Sequence, residues 1–390
     1  GRLNAAPAHN NLGEYFYKKS DYARAEQEHR RALQLRTASL GNQHELIADS
    51  YNNLGNCRVA LGDYAGAIRL HAEALAVRQA LLPAQHPDRA TSHNNLGNCA
   101  YLTGDFTTAQ QHYEQALAIR RQVFGAEHPT TAQVLNNLGN ACVALGRQQA
   151  AIDYYEQALR IRRRIFGEKH PAVANALENI ADLYTDQGDP ITALDLYRQA
   201  YAIQSAQSGA GSPAAASLWH KIGLCYQYEG DYARARRHHA QALDVLTQYF
   251  GAGHPDIAGL YNNLGNCLAE EGALQAALNA YREALRIFNQ NRPIPHAGIA
   301  RVYNNTGTAC LEAGQAGAAL DAFEQALRAL QAGPNAGERA VYLKNKGLAL
   351  EKLGRQDEAA AVFAEALAAA EMLDPAAQLE IRLAWASLLC

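Results

Sequence analysis

One small residue recurs along this chain at a constant interval. Gly13, Gly55, Gly97, Gly139, Ala181, Gly223, Gly265 and Gly307 stand 42 residues apart, and Gly347 follows after 40. A fixed period of this size marks an array. Each repeat is one supersecondary unit that cannot bury its own apolar face, so neighbours must stack. The spacing gives nine repeats, at about 6–47, 48–89, 90–131, 132–173, 174–215, 216–257, 258–299, 300–339 and 340–373. Residues 374–390 then form a capping helix or the first helix of a truncated tenth repeat. The apolar content of that segment, with Leu379, Leu383 and Cys390, favours truncation and would leave a surface open to homotypic contact.

Each repeat reads as two helices. The first carries an apolar periodicity interrupted by asparagines, as in "ATSHNNLGNCAYLTGD". A turn follows at Gly62-Asp63, Gly104-Asp105, Gly188-Asp189 and Gly230-Asp231, glycine ending one helix and aspartate capping the next. The second helix sets alanine, a ring and alanine-leucine at i, i+4 and i+7, as in Ala109, Tyr113 and Ala116-Leu117. That spacing is one helical face. Small alanines let two helices approach, and the ring fills the gap between them. His29, His71 and His239 occupy the ring position in three repeats and read as packing residues.

The connectors "FGAEHP", "FGEKHP" and "FGAGHP" stop a helix at Gly125, Gly167 and Gly251 and start the next at Pro129, Pro171 and Pro255. His44, His86, His128, His170, His254 and His296 share one register before that start, as capping or wedging groups. The connector "QSAQSGAGSPAAAS" lacks the histidine and is the candidate for a flexible joint or a change of curvature.

Composition narrows the function. Hydrophobic residues make up 48% and charged residues 19% of the 390, enough for a folded core. A net charge of -3 offers no basic surplus for phosphates, so no nucleic acid is expected as partner. No apolar run is long enough to span a membrane, and no signal peptide opens the chain. Gly1 in place of Met points to a piece of a longer protein. Cys57, Cys99, Cys225 and Cys267 follow the repeat glycine by two residues, Cys142 and Cys310 by three, so they behave as small core residues. The odd number of cysteines fits a reducing, cytoplasmic setting. There is no phosphate-binding loop, and "HELIA" at His44 lacks the second histidine of a zinc helix. No nucleophile has a base beside it, so the reading is of a non-enzyme without cofactor or metal.

The pairs Leu54-Gly55, Leu96-Gly97 and Leu138-Gly139, with Ala109, Tyr113 and Ala116, resemble the tetratricopeptide repeat. The 42-residue period and the His-Pro connector are similar to the longer version found in kinesin light chains, and "NLGN" with "LGDY" has some likeness to Pins-type adaptors. The resemblance implies an all-α, right-handed superhelical solenoid of helix-turn-helix repeats whose first helices line a concave groove.

At 100° per residue, Asn52, Asn53 and Asn56 fall on one side of their helix, with Leu54 and Gly55 turned towards the paired helix. Stacking turns these positions into three columns. The middle one, the Asn53 column, is asparagine in eight of nine repeats and suits a structural role, its amide bonding the neighbouring repeat. The outer columns vary, and a ladder of amides there can satisfy the main chain of an extended peptide, as matching asparagines are understood to do in kinesin light chains. The resemblance extends to Asn52, Asn56, Asn94, Asn98, Asn136, Asn140, Asn262 and Asn266, with Asn304 in the same column. Glu178, Asp182 and Asp186, followed by His220 and Lys221, interrupt the track and read either as an acidic pocket for a basic side chain or as a solvated or salt-bridged surface. The clusters Arg120-Arg121, Arg160 with Arg162 to Arg164, and Arg234 with Arg236-Arg237 read as outward, solvated faces. The expected partner is a protein segment in extended conformation. The alternatives are a sensor array attached to an NTPase or caspase-like protease, and a self-assembling scaffold.

Overall fold

The computed structural model describes residues 5–291, 295–330, 336–370 and 375–388. Cys390 lies outside them. The chain divides into two compact units, Gly1–Gln187 and Gly188–Cys390. The first holds α1 (Ala5–Lys18), α2 (Tyr22–Leu40), α3 (Glu45–Ala60), α4 (Tyr64–Leu81), α5 (Pro87–Leu102), α6 (Phe106–Phe124), α7 (Pro129–Ala144), α8 (Gln148–Phe166) and α9 (Pro171–Asp186). The second holds α10 (Pro190–Ser208), α11 (Pro213–Tyr228), α12 (Tyr232–Phe250), α13 (Pro255–Glu270), α14 (Leu274–Gln290) and α15 (His296–Glu312). It continues with α16 (Ala316–Leu330), α17 (Ala336–Lys352), α18 (Gln356–Ala370) and α19 (Pro375–Leu388). No strand occurs among the described residues. Odd-numbered helices are the first helices of the repeats, and even-numbered ones the second.

Local chemistry sets the helix ends. Gly62, Gly104 and Gly230 take φ of 79°, 81° and 78°, the left-handed conformation in which a side chain is strained. Asp63, Asp105, Asp189 and Asp231 then cap the second helices by accepting the backbone N–H three residues on. His44, His86, His128, His170 and His254 cap the first helices, each Nδ1 accepting the N–H two residues on. Three of these rings also stack at 4.5 Å on Phe124, Phe166 and Phe250. His296 differs: it is the first residue of α15, behind Pro295 at the cap position. The proposed loose joint is a regular connector. Residues up to Ser208 belong to α10, Gly209 ends it with φ of 83°, and Ser212 supplies the cap that histidine provides elsewhere.

Within a repeat the two helices meet at the small residue. A Cβ built on Gly97 would lie 2.6 Å from the Tyr113 ring, and one on Gly55 would lie 2.5 Å from His71. The ring therefore lies flat on bare backbone, and His29, His71 and His239 are buried like the tyrosines they replace. Alanines at Ala67, Ala74, Ala109 and Ala116 are fully buried beside them. Between repeats, a column of arginines ties each second helix to the next first helix in the first unit. Arg36 donates to the Leu46 carbonyl and the Ser50 hydroxyl, and Arg78 to the Asp88 carbonyl and Ser92. Arg120 and Arg162 donate to the carbonyls of Thr130 and Ala172. This corrects the solvated-face reading for Arg120 and Arg162 alone, while Arg234 and Arg237 are exposed: Arg120 is buried, and burial lowers the pKa of the Arg120 and Arg162 guanidiniums. Arg121, Arg160 and Arg164 are exposed. In the second unit the same column holds Gln204 and then turns apolar, with Leu246, Phe288 and Leu330.

The six described cysteines are all buried, and burial pushes the Cys57 and Cys99 thiols up to about 11 and Cys267 up to about 12. α19 packs on the preceding repeat through Ile381, Ala384 and Trp385, leaving Leu379 and Leu383 exposed.

Candidate functional site

First helices of successive repeats lie against one another, and the asparagines fill the seam between them. Nδ2 of the middle column donates to Oδ1 of the first column one repeat back. In the first unit Asn53 bonds Asn10 at 3.2 Å, Asn95 bonds Asn52 at 2.7 Å, and Asn137 and Asn179 bond Asn94 and Asn136, both at 3.1 Å. In the second unit Asn305 bonds Asn262 at 3.0 Å and Asn345 bonds Asn304 at 2.9 Å. The helical wheel, drawn for one partner helix, puts these amides opposite the core. The structure has a second partner, the next first helix, and Asn94 and Asn262 are only 5% and 6% exposed.

The third column is used differently. Tyr113, Tyr155 and Tyr281 donate their hydroxyls to Oδ1 of Asn98, Asn140 and Asn266, at 2.9, 2.6 and 2.9 Å. Asn98 and Asn266 also accept from Asn137 and Asn305 at 3.3 and 3.0 Å. Burial raises the pKa of all three phenols, so they remain donors. Where histidine takes the ring position no hydroxyl reaches this column, and Asn56 forms no hydrogen bond among the described residues. It borders a cavity of about 240 Å³ with His29, Tyr17 and Lys18.

The charged interruption is spread over both units. Glu178 and Asp182 are half-buried on α9, while Asp186 is exposed at its end. His220, on α11, occupies the first column but points its Nδ1 to His239 Nδ1 at 3.1 Å. Burial lowers His220 to about 4 and His239 to about 3, so the pair is neutral and one ring donates to the other. A similar pair, His93 and His112 at 3.1 Å, lies in the first unit. No three His, Cys, Asp or Glu side chains gather as a metal site among the described residues. Among those residues no helix is long and apolar enough to cross a membrane.

The tetratricopeptide repeat profile matches residues 4–80, 88–164, 149–206, 214–290 and 298–372, and a second profile of that description matches 52–123. The chain belongs to the tetratricopeptide repeat family. Among solved structures, the apo form of RapI is 14% identical to this tetratricopeptide array, with 98% of this chain and 97% of RapI covered at a TM-score of 0.69. The apo quorum sensor NprR from B. thuringiensis is 15% identical, with coverage of 95% and 97% and a TM-score of 0.67. BtubC (BKLC) from P. vanneervenii is 26% identical over 59% of this chain and 90% of its own, at a TM-score of 0.51. None of these three is a Pins-type adaptor. A search of curated proteins returned no match. The array is thus an all-α repeat scaffold of the kind that serves as a protein-interaction module.

Most of its outer amides are used from one side only, Asn10 differing by also donating to Glu14 at 2.8 Å. In the outer columns the oxygens of Asn52, Asn94, Asn98, Asn136, Asn140, Asn266 and Asn304 accept bonds from the array itself. Their nitrogens donate none among the described residues, and Asn262 donates only to Asn263 at 3.3 Å. What this face offers a ligand is N–H donors.

Proposed function

We propose that this protein binds an extended segment of another protein along the face of its first helices, the outer-column asparagines donating to the segment's main-chain carbonyls. The observation that carries the reading is the committed state of the amide oxygens. Most outer amides have their oxygen engaged by the array and both N–H donors turned to a partner, which suits a row of carbonyls and is indifferent to side chains. Asn52, Asn56, Asn94, Asn98, Asn136 and Asn140 would hold the segment on the first unit, with Glu178 and Asp182 beside them. Asn262, Asn266 and Asn304 would act with His220 on the second.

The test separates donors from acceptors. Asn140→Asp keeps the oxygen that Tyr155 needs and removes both donors, and Asn56→Asp does the same where no tyrosine intervenes. Binders are selected from a random dodecapeptide library and their affinities measured by fluorescence anisotropy. Each substitution should weaken binding by roughly tenfold or more while the melting temperature holds. Unchanged affinity in both variants sinks the amide track as the binding surface.

A further inference from the structure

In the second unit the first-helix face opens into a cavity of about 430 Å³ between α11, α13 and α15. That volume is within the range of pockets that enclose a ligand group. It exists because the sixth repeat breaks two columns at once. Leu224 stands where most repeats have a polar group, and the ring position holds His239, whose Nε2 bonds the Gln227 side chain at 2.9 Å rather than the third column. Leu224 gives the pocket an apolar wall, and Tyr228, 68% exposed, stands at its mouth.

Two carboxylates enter the same space. Glu270 and Glu312 are the last residues of α13 and α15 and share one register, which in the first four repeats reads Lys18, Ala60, Leu102 and Ala144. Both side chains are exposed, and neither has a cationic partner among the described residues; the neighbouring Arg236 is taken by Glu271 at 2.8 Å. Both glutamates line the cavity together with Tyr232 and Tyr281, and after burial their charges contribute to raising the pKa of the Tyr281 phenol. Their position also opposes local preference: a helix C-terminus carries partial negative charge and favours a cation. Two successive helices ending on unpaired acids over one cavity break a rule of helix construction, and such breaks concentrate at functional sites.

We infer that this pocket receives an arginine side chain of the bound segment, the guanidinium lying between Glu270 and Glu312. A planar cation can bond carboxylates in pairs and stack on a tyrosine face. The pocket supplies both, and Leu224 is placed to cover the methylene stem. Once seated, the charge also answers the two helix termini. The inference rests on the reading that an extended segment lies along the first helices, and adds one side chain to what that segment must carry.

The same random dodecapeptide library tests it, alongside a second library lacking arginine and lysine. Binders from the full library should share an arginine at one position. Replacing it by alanine, or the protein's acids by Glu270→Gln with Glu312→Gln, should each weaken binding by roughly 10- to 100-fold. The two losses should not add, because they remove one interaction. Arginine to lysine should recover only part of the affinity. The glutamine variant should melt as the wild type does, since neither acid holds a cation of the array. If binders show no arginine preference, or the glutamine variant binds the arginine peptide undiminished, the pocket is not an arginine site, although Asn304→Asp would still weaken binding. If neither library yields a binder, the segment reading fails and takes this inference with it.

Discussion

At the scale of the residue, the asparagines divide into roles that their chemistry alone does not separate. Asn137 donates to Asn94 and Asn98 across the seam, and Asn94 is buried there. Removing that donor strands the Asn94 oxygen, while Asn98 keeps its bond from Tyr113, so Asn137→Ala should destabilise the chain by about 1–3 kcal/mol, read as a lowered urea midpoint. Tyr155→Phe removes a single bond to Asn140 and should cost about 1 kcal/mol. Should Asn137→Ala prove neutral, the bridges are incidental and the middle column needs another explanation. The constancy of the middle column was readable from the sequence and fits this bridging geometry. The direction of the outer amides was not, because an asparagine's two ends differ only in what surrounds them.

At the scale of the element, the helices and turns were legible because each boundary has its own signal: glycine at positive φ, aspartate or histidine at the cap, proline at the first position. The arginine column was hidden. Arg120 sits in an "IRRQ" run that reads as a charged surface, although Arg36, Arg78, Arg120 and Arg162 recur at the repeat interval, and that periodicity was the available signal. A guanidinium has enough donors to satisfy carbonyls at the start of the next helix, which a shorter side chain cannot reach. Arg78→Ala leaves the buried Ser92 hydroxyl and the Asp88 carbonyl without that donor and should destabilise by about 2–4 kcal/mol. The bond to Asp49 at 2.9 Å adds little, since that carboxylate is half exposed to water. Arg78→Lys should recover less than half of the loss, because a point charge cannot bridge both partners. Denaturant unfolding distinguishes the outcomes, and a neutral Arg78→Ala would make the column decorative.

At the scale of the whole molecule, histidines in both units tie the fold to pH. His71 and His93 in the first unit and His220 and His239 in the second are lowered by burial to about 4, with His239 at about 3. Secondary causes act in the same direction: Arg78 near His71, His112 and Arg89 near His93, Lys221 near His220, and His220 with His238 near His239, opposed only by Asp256 near His220. In the unfolded chain each imidazole returns to the ordinary value near 6.5. Between about 6.5 and 4 the unfolded state therefore binds more protons than the folded one, and stability falls as pH falls through that window. Above it the contribution is fully present. For His71, 1% exposed, the loss by pH 5 is about 2 kcal/mol; the two histidine pairs titrate jointly and do not simply add to it. Ion-paired carboxylates lose their contribution at lower pH, so between pH 7.5 and 5 the histidines should dominate. The melting temperature should drop steadily over that range, and His71→Phe should flatten part of the slope, since Phe323 and Phe363 already fill the same slot in other repeats. A melting temperature constant from pH 7.5 to 5 would mean that the buried imidazoles reach solvent before they protonate, and the tight seat of the ring on its glycine would have to be given up with them.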